Sequence, residues 1–118
     1  MNNYFFLFNY QINTNGILTF GNEFPEYLNI PFPIEYPAIS PFYTNIDLTY
    51  GNESHSINYY QSTDEILLSR ASNVIRTSFS DATSFRASSL FVVTYKNVPK
   101  WNGDKMSDGE YNTFQVRF

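Results

Sequence analysis

Apolar and polar residues alternate with a period of two along most of this chain and with a period near 3.6 along one stretch. Strands separated by turns, and a single helix, are therefore the elements to expect. Tyr4 to Phe8 is a dense apolar run. Gln11-Ile12-Asn13-Thr14 then leads into Asn15-Gly16, a strong turn dipeptide, and Ile17 to Phe20 leaves it as a strand. In Ile39 to Gln61, Pro41 fixes the backbone direction. Ile46, Leu48 and Tyr50 alternate there with Asp47 and Thr49, and Ile57, Tyr59 and Gln61 alternate with Asn58 and Tyr60. With Gly51-Asn52-Glu53-Ser54 as the turn between them, these two runs predict a hairpin.

The period changes after Gln61. Ser62 and Glu65 have the spacing of a capping box, which puts the predicted N-cap at Ser62. Leu67, Ala71, Val74, Ile75 and Ser78 then fall on one stripe, with Glu65, Ser69, Ser72, Asn73 and Arg76 opposite. The stripe is expected to lie on the sheet and to bury Val74 and Ile75. Ser80 to Ser84 end the helix, and Leu90-Phe91-Val92-Val93-Thr94-Tyr95 is a continuous β-branched and aromatic run, the pattern of a central strand. Asn112 to Phe118 alternates to the last residue and reads as a strand cut in mid-course.

Between Gly21 and Pro41 stand Pro25, Pro31, Pro33, Pro37 and Pro41, a density that excludes a central strand or a helix interior. The interleaved Phe24, Tyr27, Phe32, Ile34, Tyr36 and Ile39 argue for an ordered surface loop packed on the core, because a disordered linker is poor in aromatics. Ten Tyr, twelve Phe and one Trp favour β-structure over a helical bundle. The expected fold is thus α+β: a mainly antiparallel, sandwich-like β-sheet with one amphipathic helix packed on it. A chain of 118 residues suits a single domain.

Charge narrows the partners. All seven basic residues lie from Arg70 onward, and the net charge is −4, so no basic stripe exists to hold phosphates and nucleic acid is excluded as a partner. Tyr4 to Phe8 is too short to span a bilayer, so no membrane insertion by this chain is expected. The absence of Cys removes disulfides and thiolate metal sites.

Catalytic chemistry is poorly represented. His55 is the sole histidine and sits in the tip of the expected hairpin, with no nucleophile elbow to accompany it. Asp64-Glu65 at a helix start serves capping and the macrodipole better than acid–base work. Asp104, Asp108 and Glu110 are candidate calcium ligands, although their spacing fits no EF-hand and a solvated loop is the simpler reading. No cofactor is expected. Asn52-Glu53-Ser54 is an N-glycosylation sequon in an expected turn, with Asn52 as the acceptor.

Four segments carry a family resemblance: NTNGILTFG at Asn13 to Gly21, ISPFYTNID at Ile39 to Asp47, TYKNVP at Thr94 to Pro99 and NTFQV at Asn112 to Val116. In that order they resemble the nidogen-type extracellular domain. Tyr43 and Tyr95 stand where that family usually has Trp. Family members continue past the Phe-Gln-Val strand, so the resemblance implies a domain incomplete at its C-terminal end, with an open sheet edge at Phe114, Val116 and Phe118 that invites self-association. It also implies a non-enzymatic extracellular module in cell-matrix adhesion, a glycoprotein that is secreted or part of an ectodomain and binds a matrix or cell-surface protein. The candidate contact residues are Phe24, Tyr27, Phe32 and Tyr36 of the proline-aromatic loop and Trp101 of the following polar loop. A carbohydrate-binding module using exposed aromatic rings is the alternative.

Overall fold

The computed structural model describes residues 10–21, 30–49, 54–101 and 110–118. The run Tyr4 to Phe8 lies outside them. The fold is α+β, with two antiparallel three-stranded sheets and one helix. The chain divides into two compact units, one formed by Met1–His55 and Asn97–Asn112, the other by Ser56–Lys96 and Thr113–Phe118.

The first unit holds β1 (Tyr10–Ile12), β2 (Leu18–Phe20) and β3 (Ala38–Ile39), in the order β1-β2-β3. β1 and β2 pair antiparallel, with Tyr10 opposite Phe20 and Ile12 opposite Leu18. The connection between them is a five-residue turn: Asn13 N–H donates to the Ile17 carbonyl at 2.9 Å and Gly16 N–H to the Asn13 carbonyl at 3.2 Å. Gly16 has φ 79°, a conformation that Gly adopts without the steric cost a Cβ would bring. Among its described residues the proline-dense segment contributes the two residues of β3, at a sheet edge where missing N–H donors are tolerated. Ile17, Leu18, Ile46 and Val98 are buried and form this unit's apolar core.

The expected hairpin over Ile39 to Gln61 does not form. Ile46 makes a single antiparallel bridge to Lys100, and the Asp47 carboxylate then accepts from Thr49 N–H at 2.9 Å and from Thr49 Oγ1 at 2.6 Å, turning the chain where a strand was expected. The second run does form a strand, β4 (Ser56–Ser62), but its partner is β5 (Leu90–Pro99). Alternation of apolar and polar residues specifies a half-buried strand without saying which strand it joins.

The other sheet has the order β4, β5, β6 (Tyr111–Arg117), with β4 and most of β5 and β6 in the second unit, so the Leu90 to Tyr95 run is the central strand, as its pattern indicates. Phe91 and Phe118 exchange both backbone hydrogen bonds, at 2.9 and 2.8 Å, as an antiparallel ladder requires. The Tyr95 and Phe114 rings stack with centroids 4.4 Å apart. Leu90, Val92, Val93 and Tyr95 are buried, on both faces of the strand. Asn97 has φ 49° and breaks the alternation, so that Val98 and Pro99 are buried in succession beyond it.

The helix α1 (Glu65–Ser78) starts two residues later than the capping box suggests. Asp64 is the N-cap, its carboxylate accepting from Leu67 N–H at 3.0 Å, and Ser62 Oγ instead accepts from Asp64 N–H at 3.1 Å. The expected faces also shift. Val74 is 59% exposed, whereas Ser72 is the buried residue of the helix. A hydroxyl is stable there because its hydrogen-bonding capacity is used: Ser72 Oγ donates to the Leu68 carbonyl at 2.7 Å and accepts from Ala87 N–H at 2.9 Å. Arg76, expected on the wet face, is half-buried and donates from Nη1 to the Phe85 carbonyl at 3.0 Å. These contacts tie the helix to the 82–89 segment that follows it.

Candidate functional site

The stretch from Pro37 to Asp47, at the end of the proline-aromatic segment and just beyond it, is held by hydrogen bonds from three directions within the first unit. Asn15 is the principal anchor. It is 5% exposed; its Oδ1 accepts from Ile46 N–H at 2.9 Å and its carbonyl from Thr44 N–H at 3.1 Å. Asn13 Oδ1 in turn accepts from Asn15 N–H at 2.8 Å, so the polar side chains of one tight turn organise a segment some thirty residues distant. β2 supplies a second tether, Phe20 N–H donating to the Pro37 carbonyl at 3.0 Å. The third is the end of β5: Asp47 N–H donates to the Pro99 carbonyl at 3.2 Å and Trp101 N–H to the Asn45 carbonyl at 3.0 Å.

This framework sets Trp101 beside Asn45, two residues from Tyr43, against which the Phe32 ring packs edge-on with centroids 6.5 Å apart. Phe32, Phe42 and Trp101 are 50%, 42% and 48% exposed on that fixed backbone. Of the sequence-derived contact candidates, Phe32 and Trp101 are thus displayed, Tyr36 is half-buried, and Phe24 and Tyr27 lie outside the described residues. Phe42 is exposed in the same segment and was not among them. Its position directly after Pro41, within the ISPFY segment, is the signal that marks it.

Glu110 forms an ion pair with Lys100, Nζ to Oε2 2.7 Å, while Asp104 and Asp108 lie outside the described residues. So does Asn52, together with the turn that carries it. His55 is half-buried near the start of β4. Among the described residues no three His, Asp or Glu side chains cluster, and no helix is long and apolar enough to cross a membrane. Burial pushes the Tyr95 hydroxyl up from 10.0 to about 12.

The second unit contains a cleft of about 500 Å³ that no local sequence pattern announces. Leu67, Ala71 and Ile75 of α1 form one wall, Phe85 and Ser88 another, and Tyr60, Leu90 and Phe118 the rest. Arg70, Arg86 and Arg117 also line it, and no Asp or Glu does. These residues come from four separate parts of the chain, which the fold alone brings together.

The family model described as "Nidogen-like domain" matches residues 8–117. Among curated proteins, the chain is 48% identical over 105 residues to "Nidogen" of Drosophila melanogaster, covering 89% of this chain and 8% of that protein. It is 32% identical over 112 residues to "Nidogen-2" of Mus musculus, covering 89% and 8%. With "Alpha-tectorin" of Mus musculus it shares 31% over 107 residues, covering 89% and 5%. The chain therefore spans 5–8% of the length of these relatives. No solved structure matches it.

Proposed function

This chain belongs to the nidogen-like domain family, and from that premise we propose that it is a non-enzymatic module of the extracellular matrix that binds a protein partner through Phe32, Phe42 and Trp101. The observation that carries the reading is the display of large aromatic side chains on a backbone fixed by Asn15, β2 and the end of β5. Rigid scaffolds that present loop residues are a common basis for binding, and exposed Trp and Phe supply apolar contact area at low cost in side-chain entropy. Asn52 is the proposed glycan acceptor, and β6, at the end of the β4-β5-β6 order, is the proposed edge for self-association. The protein is placed outside the cell on the same premise.

Ring geometry favours this reading over carbohydrate stacking, which calls for two or three exposed rings in one plane. Phe32 and Tyr43 are at 87°, Tyr59 and Phe91 at 44°, Phe91 and Phe118 at 32°, and the nearly parallel Tyr95–Phe114 pair includes a Tyr that is buried. Tyr59 and Tyr60 are both exposed, but as neighbours on β4 they point to opposite faces.

The test is retention on extracellular-matrix preparations beside a glycan-array screen. The wild-type chain is expected to be retained, Trp101→Ala to bind about 30-fold more weakly, as loss of a hot-spot aromatic of about 2 kcal/mol implies, and Tyr59→Ala to bind normally. No retention by a folded wild-type chain, or saturable binding to a glycan with none to matrix, would overturn the proposal.

A further inference from the structure

We infer that the cleft between α1 and the β4-β5-β6 sheet is a binding site for a small amphipathic organic anion, an apolar body carrying one carboxylate or sulfonate. Three features specify that chemistry. The volume, about 500 Å³, lies within the usual range of small-molecule sites. Leu67, Ala71, Ile75 and Leu90 give the interior an apolar surface that a hydrocarbon or ring system would cover. Arg70, Arg86 and Arg117 then concentrate three of the chain's seven cationic side chains around one opening, in a protein whose net charge is −4.

No Asp or Glu side chain stands beside these guanidinium groups in the lining, so their positive charge favours an anion there. Arg117 donates from Nε to Gln115 Oε1 at 2.9 Å, which fixes its orientation but leaves its charge uncompensated. Arg70 and Arg86 make no ion pair or side-chain hydrogen bond among the described residues. Planar guanidinium groups receive carboxylates and sulfonates through paired N–H donors. A compact ligand suits the walls, since the helix, the 85–89 segment and the end of β6 bound the cleft on three sides. All of its lining residues belong to the second unit, and the inference does not rest on the proposed matrix binding.

A matched pair of fluorescent probes tests it: 8-anilinonaphthalene-1-sulfonate, and N-phenyl-1-naphthylamine, which keeps the rings and lacks the sulfonate. The anionic probe is expected to bind the chain with one-to-one saturation and a Kd of about 10–100 µM. Decanoate should displace it, and the neutral probe should bind at least about tenfold more weakly. Arg70→Gln and Arg117→Gln, both changes of exposed side chains, are each expected to weaken the anionic probe about 5–10-fold while leaving the neutral probe and the thermal melt unchanged. Ala71→Trp should fill the cleft and abolish both signals; Arg86→Gln replaces either Arg variant that melts early. Binding without saturation, equal affinity for the two probes, no response to the Arg variants, or displacement by a polyglutamate peptide but not by decanoate would each overturn the inference.

Discussion

Replacing Asn15 with Ala isolates the contact on which the binding surface depends. The Asn15 carboxamide is buried, and its Oδ1 is the acceptor for Ile46 N–H at 2.9 Å, across 31 positions of sequence. Truncation removes that acceptor and leaves the amide of Ile46, itself a buried residue, without a partner. An unsatisfied buried donor costs about 1–3 kcal/mol, and the void left by the carboxamide adds about 1 kcal/mol, giving about 2–4 kcal/mol in all. For a chain of this size the loss corresponds to a fall in Tm of about 10 °C. Urea denaturation followed by far-UV circular dichroism measures the energy, and hydrogen exchange locates it, since the Ile46 amide should exchange much faster in Asn15→Ala. Thr14→Ala, a change to an exposed residue of the same turn, is the control and should stay within about 0.5 kcal/mol of wild type. If Asn15→Ala lost less than that, with Ile46 still protected, the turn would not be what holds the 44–46 segment.

Three further outcomes are expected. Tyr95 has a folded pKa of about 12 against 10.0, so its contribution to stability is complete below pH 10 and is lost as pH rises from 10 to 12, at about 1.4 kcal/mol per unit. Urea titrations at pH 9 and pH 11 should reveal that slope in the wild type and a flatter one in Tyr95→Phe; identical slopes would contradict it. Gly16→Val places a β-branched residue at φ 79° and should cost about 1–3 kcal/mol by the same titration. Ser72→Ala deprives Ala87 N–H of its acceptor and should cost about 1–2 kcal/mol, whereas Val74→Asp, at a position 59% exposed, should cost less than about 1 kcal/mol; a reversed order in thermal melts would refute the face assignment.

The features legible in the sequence are those that local patterns encode. The Asn-Gly turn, the Leu90 to Tyr95 central strand, the alternation of the last strand and the existence of one helix all follow from residues within a few positions of one another. Pairing is not encoded locally: the Ile46 to Tyr50 run reads as a partner for β4, whereas β4 joins a strand some thirty residues further on, and Asp47 folds back on Thr49. Helical spacing marks Val74 as apolar but cannot foresee that the 82–89 segment buries Ser72 through a hydrogen bond. Their loop setting marks Trp101 and Phe32 as candidate contact residues, and both side chains are exposed. The arginine-lined cleft has no such mark, because Tyr60, Arg70, Arg86 and Arg117 converge only in three dimensions.

Hydrogen exchange of the chain while it is held on extracellular matrix tests the central claim most directly, because it reads which surface is covered. Exchange is expected to slow across residues 32–46 and at Trp101, with Ser56–Ser62 exchanging as in the free chain. Protection confined to Ser56–Ser62, or no protection anywhere in a retained and folded chain, would contradict it.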